Sequence, residues 1–510
     1  MHHIKLQKGI IMKKILLLLL LLTYGLSQSQ DFSLTKSIDG ELVSINKLYN
    51  SKTEDLFGYL VLNDLGYVTE TSRKYEYTIL DSNFNKLQNG TFTDNFYHKY
   101  LKEKIKTSVK DIAYSKNQIL IYYGYYIEDY SKGTFSNKFR VIDLEKNNSR
   151  GPYTLDGNKL RPELEISGKE ELKAFQKRDK EEYKSINYNW INLKSYSDKG
   201  FILQEITSSM YRTSVTSQIS LLNLDQEFLF IKTMPDGYTN IIDYDDKNFY
   251  LTSSSSLAVN DFSIYSRYYS AIDKGGKDIY KMEYKSTLYD YFPTTIKVID
   301  KKIYILGSYR LKKGEDYKNL GIYRRILNLE DGKEISLDHI KNTELKSDKE
   351  ISEFGKVDNL GQLQFEYFSI TDIGEIIAVA ETYKEYSKSN IYTDLAYFKI
   401  SADFKSISSE FYALGKTKIS KFSYAQQLPN KEGVVMTFIN KDDNKNWVLN
   451  TLAYNYATQK ITKSDLSLEK KGSNVVFSSA KKGYLTLIEY FKNQKPGDKE
   501  VEIRLEKINY

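Results

Sequence analysis

The feature that most constrains the fold is a unit of four short apolar segments that recurs along the chain. In residues 295–338 the segments are separated by a turn at Asp300-Lys301, by a polar loop, and by a second turn at Asp331-Gly332. The Asp-Gly pair supplies the positive φ that a two-residue hairpin turn requires. The second segment, residues 302–309, is apolar at nearly every position, as expected for a strand covered on both faces. This unit predicts four consecutive antiparallel strands.

The apolar second segment occurs eight times. It begins just after Gly66, Gln118, Gly200, Asn248, Lys302, Glu375, Gly433 and Gly483, at spacings of 52, 82, 48, 54, 73, 58 and 50 residues. Propeller repeats run to about 40–50 residues per four-stranded blade, so the two long spacings indicate insertions. We predict an all-β propeller of about eight, alternatively seven, four-stranded antiparallel blades. A string of hairpins in a β-sandwich is the other fold that the pattern allows.

Turn motifs after the third strand support the repeat. They are Asp81-Ser82-Asn83-Phe84, Asp225-Gln226-Glu227-Phe228, Asp273-Lys274-Gly275-Gly276, Asp331-Gly332 and Ala402-Asp403-Phe404. Asp and Asn side chains accept hydrogen bonds from backbone amides two residues on, and so initiate such turns. The composition agrees, because 45 Tyr, 24 Phe and only six Pro favour strands.

The N-terminus predicts export. Met12-Lys13-Lys14, a short apolar run and small residues up to Ser29 have the pattern of a secretory signal peptide, with residues 1–11 as an upstream extension. The apolar run is shorter than the ~20 residues of a membrane-spanning helix. Cleavage after Ser29 lowers the formal net charge from +7 to +3, which is too weak to indicate nucleic-acid binding. We predict a secreted protein, periplasmic or extracellular, without a transmembrane span.

The remaining residues, 30–510, are predicted to form one propeller domain. The last unit contains only three strands, at residues 475–480, 484–491 and 501–508. Residues 32–48 are predicted to supply its fourth strand, so that pairing of the N- and C-terminal strands closes the ring and removes an exposed edge.

Three helical insertions are predicted between blades. Residues 167–184 begin with the capping box Ser167-Gly168-Lys169-Glu170, and residues 347–354 begin with Ser347-Asp348-Lys349-Glu350. Residues 94–106 are the third. All three fall between the fourth strand of one unit and the first strand of the next, and therefore on the same face as the long loops between second and third strands.

That face is predicted to carry the function, because recognition residues concentrate on loops held by a rigid scaffold. Its candidate binding residues are tyrosines and arginines, the types enriched at recognition hot spots. They are Tyr125, Tyr126, Tyr211, Arg212, Tyr265, Arg267, Tyr268, Arg310, Tyr317, Tyr383 and Tyr386. Any one of these tyrosines is alternatively a packing residue at a strand edge.

Catalytic and metal-binding motifs are not found. The chain contains no Cys, and the only histidines after Ser29 are His98 and His339, both expected at the surface, so we predict no cofactor, zinc site or histidine-based triad. Gly415-Lys416-Thr417 lacks the first glycine of a phosphate-binding loop, and no G-x-S-x-G sequence occurs.

With its signal-like N-terminus and divergent blades, the chain resembles uncharacterised secreted β-propeller-like proteins. We therefore expect a non-catalytic binding or scaffold protein that recognises a protein or glycan partner through the loop face. The alternative is a carbohydrate-active enzyme, a glycosidase or lyase, with a pair of carboxylates at the channel mouth.

Overall fold

The structure is a computed structural model, and it describes most of the chain after the predicted signal peptide. The described residues are 31–508 except for 34–39, 51–54, 70–71, 96–104, 128–134, 157–158, 164–168, 175–176, 178–187, 209–214, 235–236, 257–264, 285, 287, 312–318, 372, 387–388, 418–421, 442–445, 471–472 and 492–500. The predicted signal peptide, residues 1–29, lies outside them.

Almost all of the regular structure consists of antiparallel strands. In chain order the strands are β1 (Asp31–Ser33), β2 (Glu41–Tyr49), β3 (Leu56–Tyr67), β4 (Ser72–Asp81), β5 (Lys86–Asn95), β6 (Ile105–Ser115), β7 (Gln118–Ile127), β8 (Phe135–Asp143), β9 (Asn148–Asp156), β10 (Lys159–Pro162), β11 (Tyr188–Tyr196), β12 (Gly200–Ser208), β13 (Val215–Asn223), β14 (Phe228–Met234), β15 (Tyr238–Tyr244), β16 (Asn248–Ser256), β17 (Tyr265–Asp273), β18 (Asp278–Glu283), β19 (Tyr289–Ile299), β20 (Lys302–Leu311), β21 (Asn319–Asn328), β22 (Glu334–Lys341), β23 (Lys356–Val357), β24 (Gly361–Ile370), β25 (Ile376–Tyr386), β26 (Ser389–Ile400), β27 (Ser406–Thr417), β28 (Phe422–Gln427), β29 (Gly433–Lys441), β30 (Trp447–Asn455), β31 (Ile461–Ser467), β32 (Glu469–Lys470), β33 (Ser473–Ser479), β34 (Tyr484–Phe491) and β35 (Val501–Lys507).

These strands form eight successive sheets, which confirms the prediction of eight four-stranded blades. Blades 1 to 8 are β2-β3-β4-β5, β6-β7-β8-β9, β11-β12-β13-β14, β15-β16-β17-β18, β19-β20-β21-β22, β24-β25-β26-β27, β28-β29-β30-β31 and β33-β34-β35-β1. The short strands β10, β23 and β32 extend blades 2, 6 and 8. The first strand of each blade lies nearest the axis of the ring.

The hydrophobic core is divided among the interfaces between neighbouring blades. There are eight clusters of buried apolar residues, one at each interface. The closing interface packs Tyr59 and Val61 of blade 1 against Ile503 and Leu505 of blade 8. There the Tyr59 hydroxyl lies 3.0 Å from Thr486 Oγ1. Packing of blade 1 on blade 8 therefore completes the ring.

The N-terminal segment divides into two strands rather than forming the single outer strand expected at residues 32–48. Asp31–Ser33 pairs antiparallel with β35 as the outermost strand of blade 8. Glu41–Tyr49 is instead the innermost strand of blade 1. Gly40 lies directly before that strand with φ 104°, a conformation in which a Cβ would approach Asp64 O to 2.5 Å. The start of blade 1 thus requires glycine here.

The prediction for the second strand of blade 1 was wrong. That strand is Leu56–Tyr67, and it ends near Gly66 rather than beginning after it. Gly66 has φ 87° and lies where the register with β4 shifts, and its N–H donates to Asp64 Oδ1 at 2.8 Å. The glycine therefore marks a β-bulge, which sequence alone does not distinguish from a turn.

The turns between third and fourth strands lie where the sequence placed them. In blade 1 Asp81 Oδ1 accepts from the N–H groups of Asn83 and Asn85, at 2.7 and 2.8 Å. In blade 3 the acceptor is Asn223, the last residue of β13, and not Asp225 as expected. The side chain that initiates this turn is the one that ends the third strand, because only that position faces both free amides.

We expect Asn223→Ala to lower the free energy of unfolding by about 1 kcal/mol, because Asn223 Oδ1 accepts from the N–H groups of Asp225 and Glu227, both at 2.9 Å. The matched variant Asp225→Ala, at an exposed position of the same turn, should change it by less than about 0.5 kcal/mol. Urea denaturation of both variants measures the difference. Equal losses would contradict this assignment of the turn.

The three predicted helical insertions have different outcomes. Residues 169–174 are helical, within the first predicted insertion. Residues 347–354 are not, because Ile351 forms a β-bridge with Val357 and both side chains are buried in the interface of blades 5 and 6. Ser347 Oγ accepts from the N–H of Lys349, which makes a local turn in place of a helix cap.

The third predicted helix, residues 94–106, is wrong at both ends. Asp94 belongs to β5, and Ile105 and Lys106 belong to β6. Residues 96–104 lie outside the described residues.

Candidate functional site

The two ends of the propeller differ in their connections. At one end, here the short-turn end, lie the turns from first to second and from third to fourth strands, as at Asp300-Lys301 between β19 and β20. At the other, the loop end, lie the connections from second to third strands and the links between blades. The innermost strands begin at the loop end and finish at the short-turn end.

An aromatic rim occupies the loop end on three consecutive blades. We define it as Trp190, Tyr238 and Tyr289, which lie at or near the start of the innermost strands of blades 3, 4 and 5. Trp190 is 43% exposed, although it is one of only two Trp in the chain. Tyr238 and Tyr289 are half-buried. Leu288, directly before β19, is also exposed.

Tyr289 is held by an aromatic cluster on one face of blade 5. Its ring centroid lies 5.2 Å from that of Tyr309, at an interplanar angle of 85°, and 5.6 Å from that of His339. The ring centroids of Tyr291 and Tyr323 are 4.7 Å apart in the same cluster. Offset and edge-on arrangements of this kind are favourable for aromatic pairs. The rim position of Tyr289 is therefore fixed by packing.

His339 is a member of this cluster and not the surface residue that the sequence suggested. It lies on β22, and its Nε2 is 3.0 Å from the Tyr291 hydroxyl. Burial lowers the pKa of His339, and the nearby Arg325 lowers it further. The imidazole is therefore neutral at neutral pH and acts as a hydrogen-bonding partner within the cluster.

Cationic side chains lie beside the rim. Arg310 Nε is 3.4 Å from Asp290 Oδ2, and its guanidinium lies 4.5 Å from the centroid of the Phe292 ring. On blade 4, Arg267 is half-buried next to Tyr268, whose ring centroid lies 4.3 Å from Lys281 Nζ. The loop ends of blades 4 and 5 thus combine aromatic surface with ordered positive charge.

Three of the predicted binding residues, Arg267, Tyr268 and Arg310, lie at the loop ends of blades 4 and 5. Tyr126 is half-buried on blade 2, and Tyr383 is half-buried on blade 6 with its ring centroid 6.0 Å from that of Tyr392. Tyr211, Arg212 and Tyr317, and the side chains of Tyr265 and Tyr386, lie outside the described part of the structure.

Tyr125 does not lie on a binding surface. It is only 1% exposed, and its hydroxyl donates to Asp94 Oδ2 at 3.3 Å. Burial raises its pKa well above the ordinary value for Tyr. Alternation along β7 places Tyr125 in the interface between blades 1 and 2. This tyrosine is therefore a core residue of that interface.

Sequence reasoning missed the aromatic rim. Trp190, Tyr238 and Tyr289 lie at or near the start of innermost strands, whereas the predicted site residues lie around the loops between second and third strands. An available signal was that an aromatic residue stands at the start of three successive first strands.

A pair of carboxyl groups lies on the two inner strands of blade 6. Glu366 is the extra residue of a bulge between Phe365 and Tyr367, and Glu381 on β25 is fully buried. Glu381 Oε1 accepts from the N–H of Phe422 at 2.8 Å. Burial raises the pKa of Glu366 to about 7, and the charge of Glu381 adds to the effect. Glu366 is therefore partly protonated at neutral pH.

Within the described ranges, no group of three or more His, Cys, Asp or Glu side chains is placed to hold a metal ion. Among the same residues, no helix has the length and apolar character needed to cross a membrane.

Comparisons with known proteins find distant structural similarities. No protein-family model and no curated protein matches the chain. Among solved structures, the WD40 domain of SCAP from fission yeast is 7% identical, with a TM-score of 0.38, covering 94% of this chain and 97% of that chain. The polysaccharide lyase Uly1 is 10% identical, with a TM-score of 0.39, and the match covers 79% of this chain and 90% of that chain. An endo-arabinase from Bacteroides thetaiotaomicron is 12% identical, with a TM-score of 0.25, and the match covers 54% of this chain and 93% of that chain.

Proposed function

We propose that the protein is a secreted, non-catalytic binding protein that recognises its partner through the loop end of blades 3 to 5. The observation that carries this proposal is the aromatic rim, because it places a Trp and two Tyr on three neighbouring innermost strands. Export is inferred from the signal-like N-terminus, and the rim then faces the surroundings of the cell or the periplasm.

Of the two partner classes expected from the sequence, we argue for a protein. Trp, Tyr and Arg are the residues most enriched at protein–protein hot spots, and all three types occur here. Tyr289 is fixed by Tyr309 and His339, so little side-chain entropy is lost when a partner binds. The Arg310–Asp290 pair supplies polar contacts beside the rim, as in the polar margin of a protein interface.

The test is a pull-down from the exported proteins of the source organism, together with a glycan array, using the mature chain. Replacing Trp190 with Ala should weaken capture of the partner at least about tenfold, because a hot-spot Trp contributes more than about 1.4 kcal/mol. The change should leave the melting temperature nearly unaltered, since Trp190 is 43% exposed.

Ile373→Ala is the matched control, because Ile373 is an exposed apolar residue on the short-turn side of blade 6. It should not affect capture. A loss of capture with Ile373→Ala but not with Trp190→Ala would refute the assignment. A glycan on the array that binds in a Trp190-dependent manner would replace the protein partner with a carbohydrate.

The alternative function, a carbohydrate-active enzyme, has one observation in its favour. Glu366 has a pKa of about 7 beside the buried Glu381, and a carboxyl group kept protonated near neutral pH is suited to general acid catalysis. Release of reducing or unsaturated sugar ends from a panel of polysaccharides, abolished by Glu366→Gln, would establish this function in place of binding.

A further inference from the structure

We propose that the central channel holds a second binding site, midway along its length, for a neutral saccharide. The site is a ring of side chains, here the polar collar, to which the innermost strand of each of blades 1 to 7 contributes one residue. Blade 2 contributes Lys110, and the other six residues are neutral amides and hydroxyls. They are Asn46, Asn192, Asn240, Thr294, Gln364 and Ser423. The collar contains no residue of the aromatic rim, so this inference does not depend on the proposed function.

Four residues of the collar lie at one height in the channel because they pair with equivalent positions of the second strands. Asn46, Asn192, Asn240 and Gln364 pair with Leu60, Gln204, Thr252 and Glu381, in that order. Each of these partners is the fifth or sixth residue of its strand, counted from the short-turn end. A ligand on the axis of the ring is therefore surrounded by side chains from several blades.

The other three residues reach the same height through β-bulges. Lys110, Thr294 and Ser423 are each the extra residue where the register with the second strand shifts. All three bulges lie opposite the fifth and sixth residues of the second strands. A β-bulge re-aims a side chain, and bulges are common beside functional sites. Three bulges at one height indicate that the channel wall is shaped at this height.

The collar side chains are open to the channel. Six of the seven are exposed, and an innermost strand is covered by its own blade and its neighbours on every side except toward the channel. Among the described residues, the side chains of Asn192, Thr294 and Ser423 have no hydrogen-bond partner. Asn240 Oδ1 accepts from Gln204 Nε2 at 3.3 Å, which holds this amide in place. The collar thus presents free donors and acceptors around the axis.

The chemistry of the collar fits a neutral ligand rich in hydroxyl groups. Amide and hydroxyl side chains both donate and accept hydrogen bonds, as the hydroxyl groups of a sugar do. Lys110 is the single charged residue of the collar, and burial lowers its pKa, so the channel disfavours charge at this height. The adjacent Glu366, which hydrogen-bonds with Gln364, has a pKa of about 7 and is itself partly protonated at neutral pH.

An apolar side chain occupies the same height on blade 8. Val476 pairs with Ile488, the fifth residue of β34, and is 53% exposed. A sugar ring combines hydroxyl groups with C–H surface, and small-molecule sites likewise combine apolar contacts with a few placed polar groups. The ring of eight blades therefore offers both kinds of contact to a saccharide.

The test is isothermal titration of the mature protein with cello-, xylo-, manno-, galacto- and arabino-oligosaccharides, with oligogalacturonate and with trialanine. We expect at least one of the neutral oligosaccharides to bind at millimolar concentration, and to bind more tightly than oligogalacturonate and trialanine. Binding of none of the neutral oligosaccharides, or tighter binding of the acidic sugar or of the peptide, would overturn the proposal.

A triple variant connects binding to the collar. Asn192→Ala, Thr294→Val and Ser423→Ala together should weaken saccharide binding at least about tenfold, because each change removes a hydrogen-bonding group from the channel wall. The melting temperature should stay near that of the wild type, since the three side chains are exposed.

The matched control makes the same three changes on outermost strands, at the exposed residues Asn89, Thr233 and Ser408. Asn89→Ala, Thr233→Val and Ser408→Ala together should leave saccharide binding unchanged. Equal affinities of the two triple variants for the saccharide would refute the site.

Lys110→Gln separates a neutral ligand from an anion. Gln retains N–H donors and removes the charge, so the affinity for a neutral saccharide should change by less than about threefold. Complete loss of binding would show that the ligand is held by charge and would overturn the proposal. Capture of the protein partner through Trp190 is measured separately, so failure of either proposal leaves the other standing.

Discussion

Replacing Arg140 with Met is expected to lower the free energy of unfolding by about 3–5 kcal/mol, the largest effect that the structure predicts for a single substitution. Arg140 forms an ion pair with Asp94, whose side chain is fully buried between blades 1 and 2. The Tyr123 hydroxyl also donates to Asp94, at 2.5 Å. Without the guanidinium, the carboxylate would remain in an apolar interface with no compensating cation.

The surroundings of Arg140 explain why the ion pair forms in the core. The guanidinium lies 4.0 Å from the centroid of the Phe92 ring. Burial by itself lowers the pKa of Arg140, but the neighbouring Tyr123 and Asp94 favour its charged form more strongly and raise the pKa above its ordinary value. Burial raises the pKa of Tyr123, so its hydroxyl remains a hydrogen-bond donor.

Two further variants make this prediction specific. The double variant Asp94→Asn with Arg140→Met should recover part of the loss, since no unpaired charge remains. Lys106→Met removes the cation of an exposed ion pair, in which Lys106 Nζ lies 2.7 Å from Glu41 Oε2. This change should lower the free energy of unfolding by less than about 1 kcal/mol. Denaturant unfolding measures the free energy of unfolding of Arg140→Met, of the double variant and of Lys106→Met. A cost of Arg140→Met as small as that of Lys106→Met would show that the network is not a determinant of stability.

Replacing Glu366 with Gln should stabilise the protein at pH 8 by about 1–2 kcal/mol and have little effect at pH 4.5. The pKa of Glu366 is about 7 in the folded chain, against an ordinary value of 4.5. The folded chain thus binds this proton more tightly than the unfolded chain. The stabilisation from Glu366 is complete below pH 4.5 and is lost as the pH rises through 7. The full shift corresponds to about 3 kcal/mol, and partial exposure of the carboxyl to water reduces the effect.

The measurement is the free energy of unfolding at several pH values for the wild type and the variant. The difference between them should grow between pH 5 and pH 8. Glu330→Gln, in the exposed pair with Lys301, is the control and should show no such trend. If the free energies of unfolding of the variant and the wild type differ by the same amount at every pH, the assignment of this pKa to burial and to Glu381 would be contradicted.

The blade repeat was predictable because it depends on local chemistry. Gly200, Asn248 and Lys302 each end a short turn and begin an apolar strand, and all three begin second strands in the structure. Gly66 has the same local pattern but lies in a bulge, and only its cross-strand pairing with Lys74 reveals this. Local sequence therefore predicts turns and strands, and tertiary pairing decides which glycines are turns.

The helix predictions show the same limit. A capping-box pattern precedes Ile351, yet Ile351 and Val357 fill the interface of blades 5 and 6 as a β-bridge. Tertiary packing overrode the local helix signal. Asp94 was assigned to a helix start, whereas it is the buried centre of the blade 1–2 network. Its partners Tyr123 and Arg140 are 29 and 46 residues away, and no local pattern connects them.

The candidate site could be predicted only in part. The sequence indicated the loop end and the Tyr and Arg residue types, and Arg267, Tyr268 and Arg310 lie at the loop ends of blades 4 and 5. It missed Trp190, although the alternation of Trp190, Asn192 and Lys194 along β11 places this Trp on the exposed face of the strand. Only the ring geometry places the starts of three such strands at one mouth of the channel.

The most direct test of the proposed function is hydrogen–deuterium exchange of the mature protein with and without the partner recovered by pull-down. We expect slower exchange on binding at the starts of the innermost strands of blades 3, 4 and 5, around Trp190, Tyr238 and Tyr289, with little change at the short-turn end. Protection confined to the short-turn end, or to blades remote from the aromatic rim, would contradict recognition through the loop end.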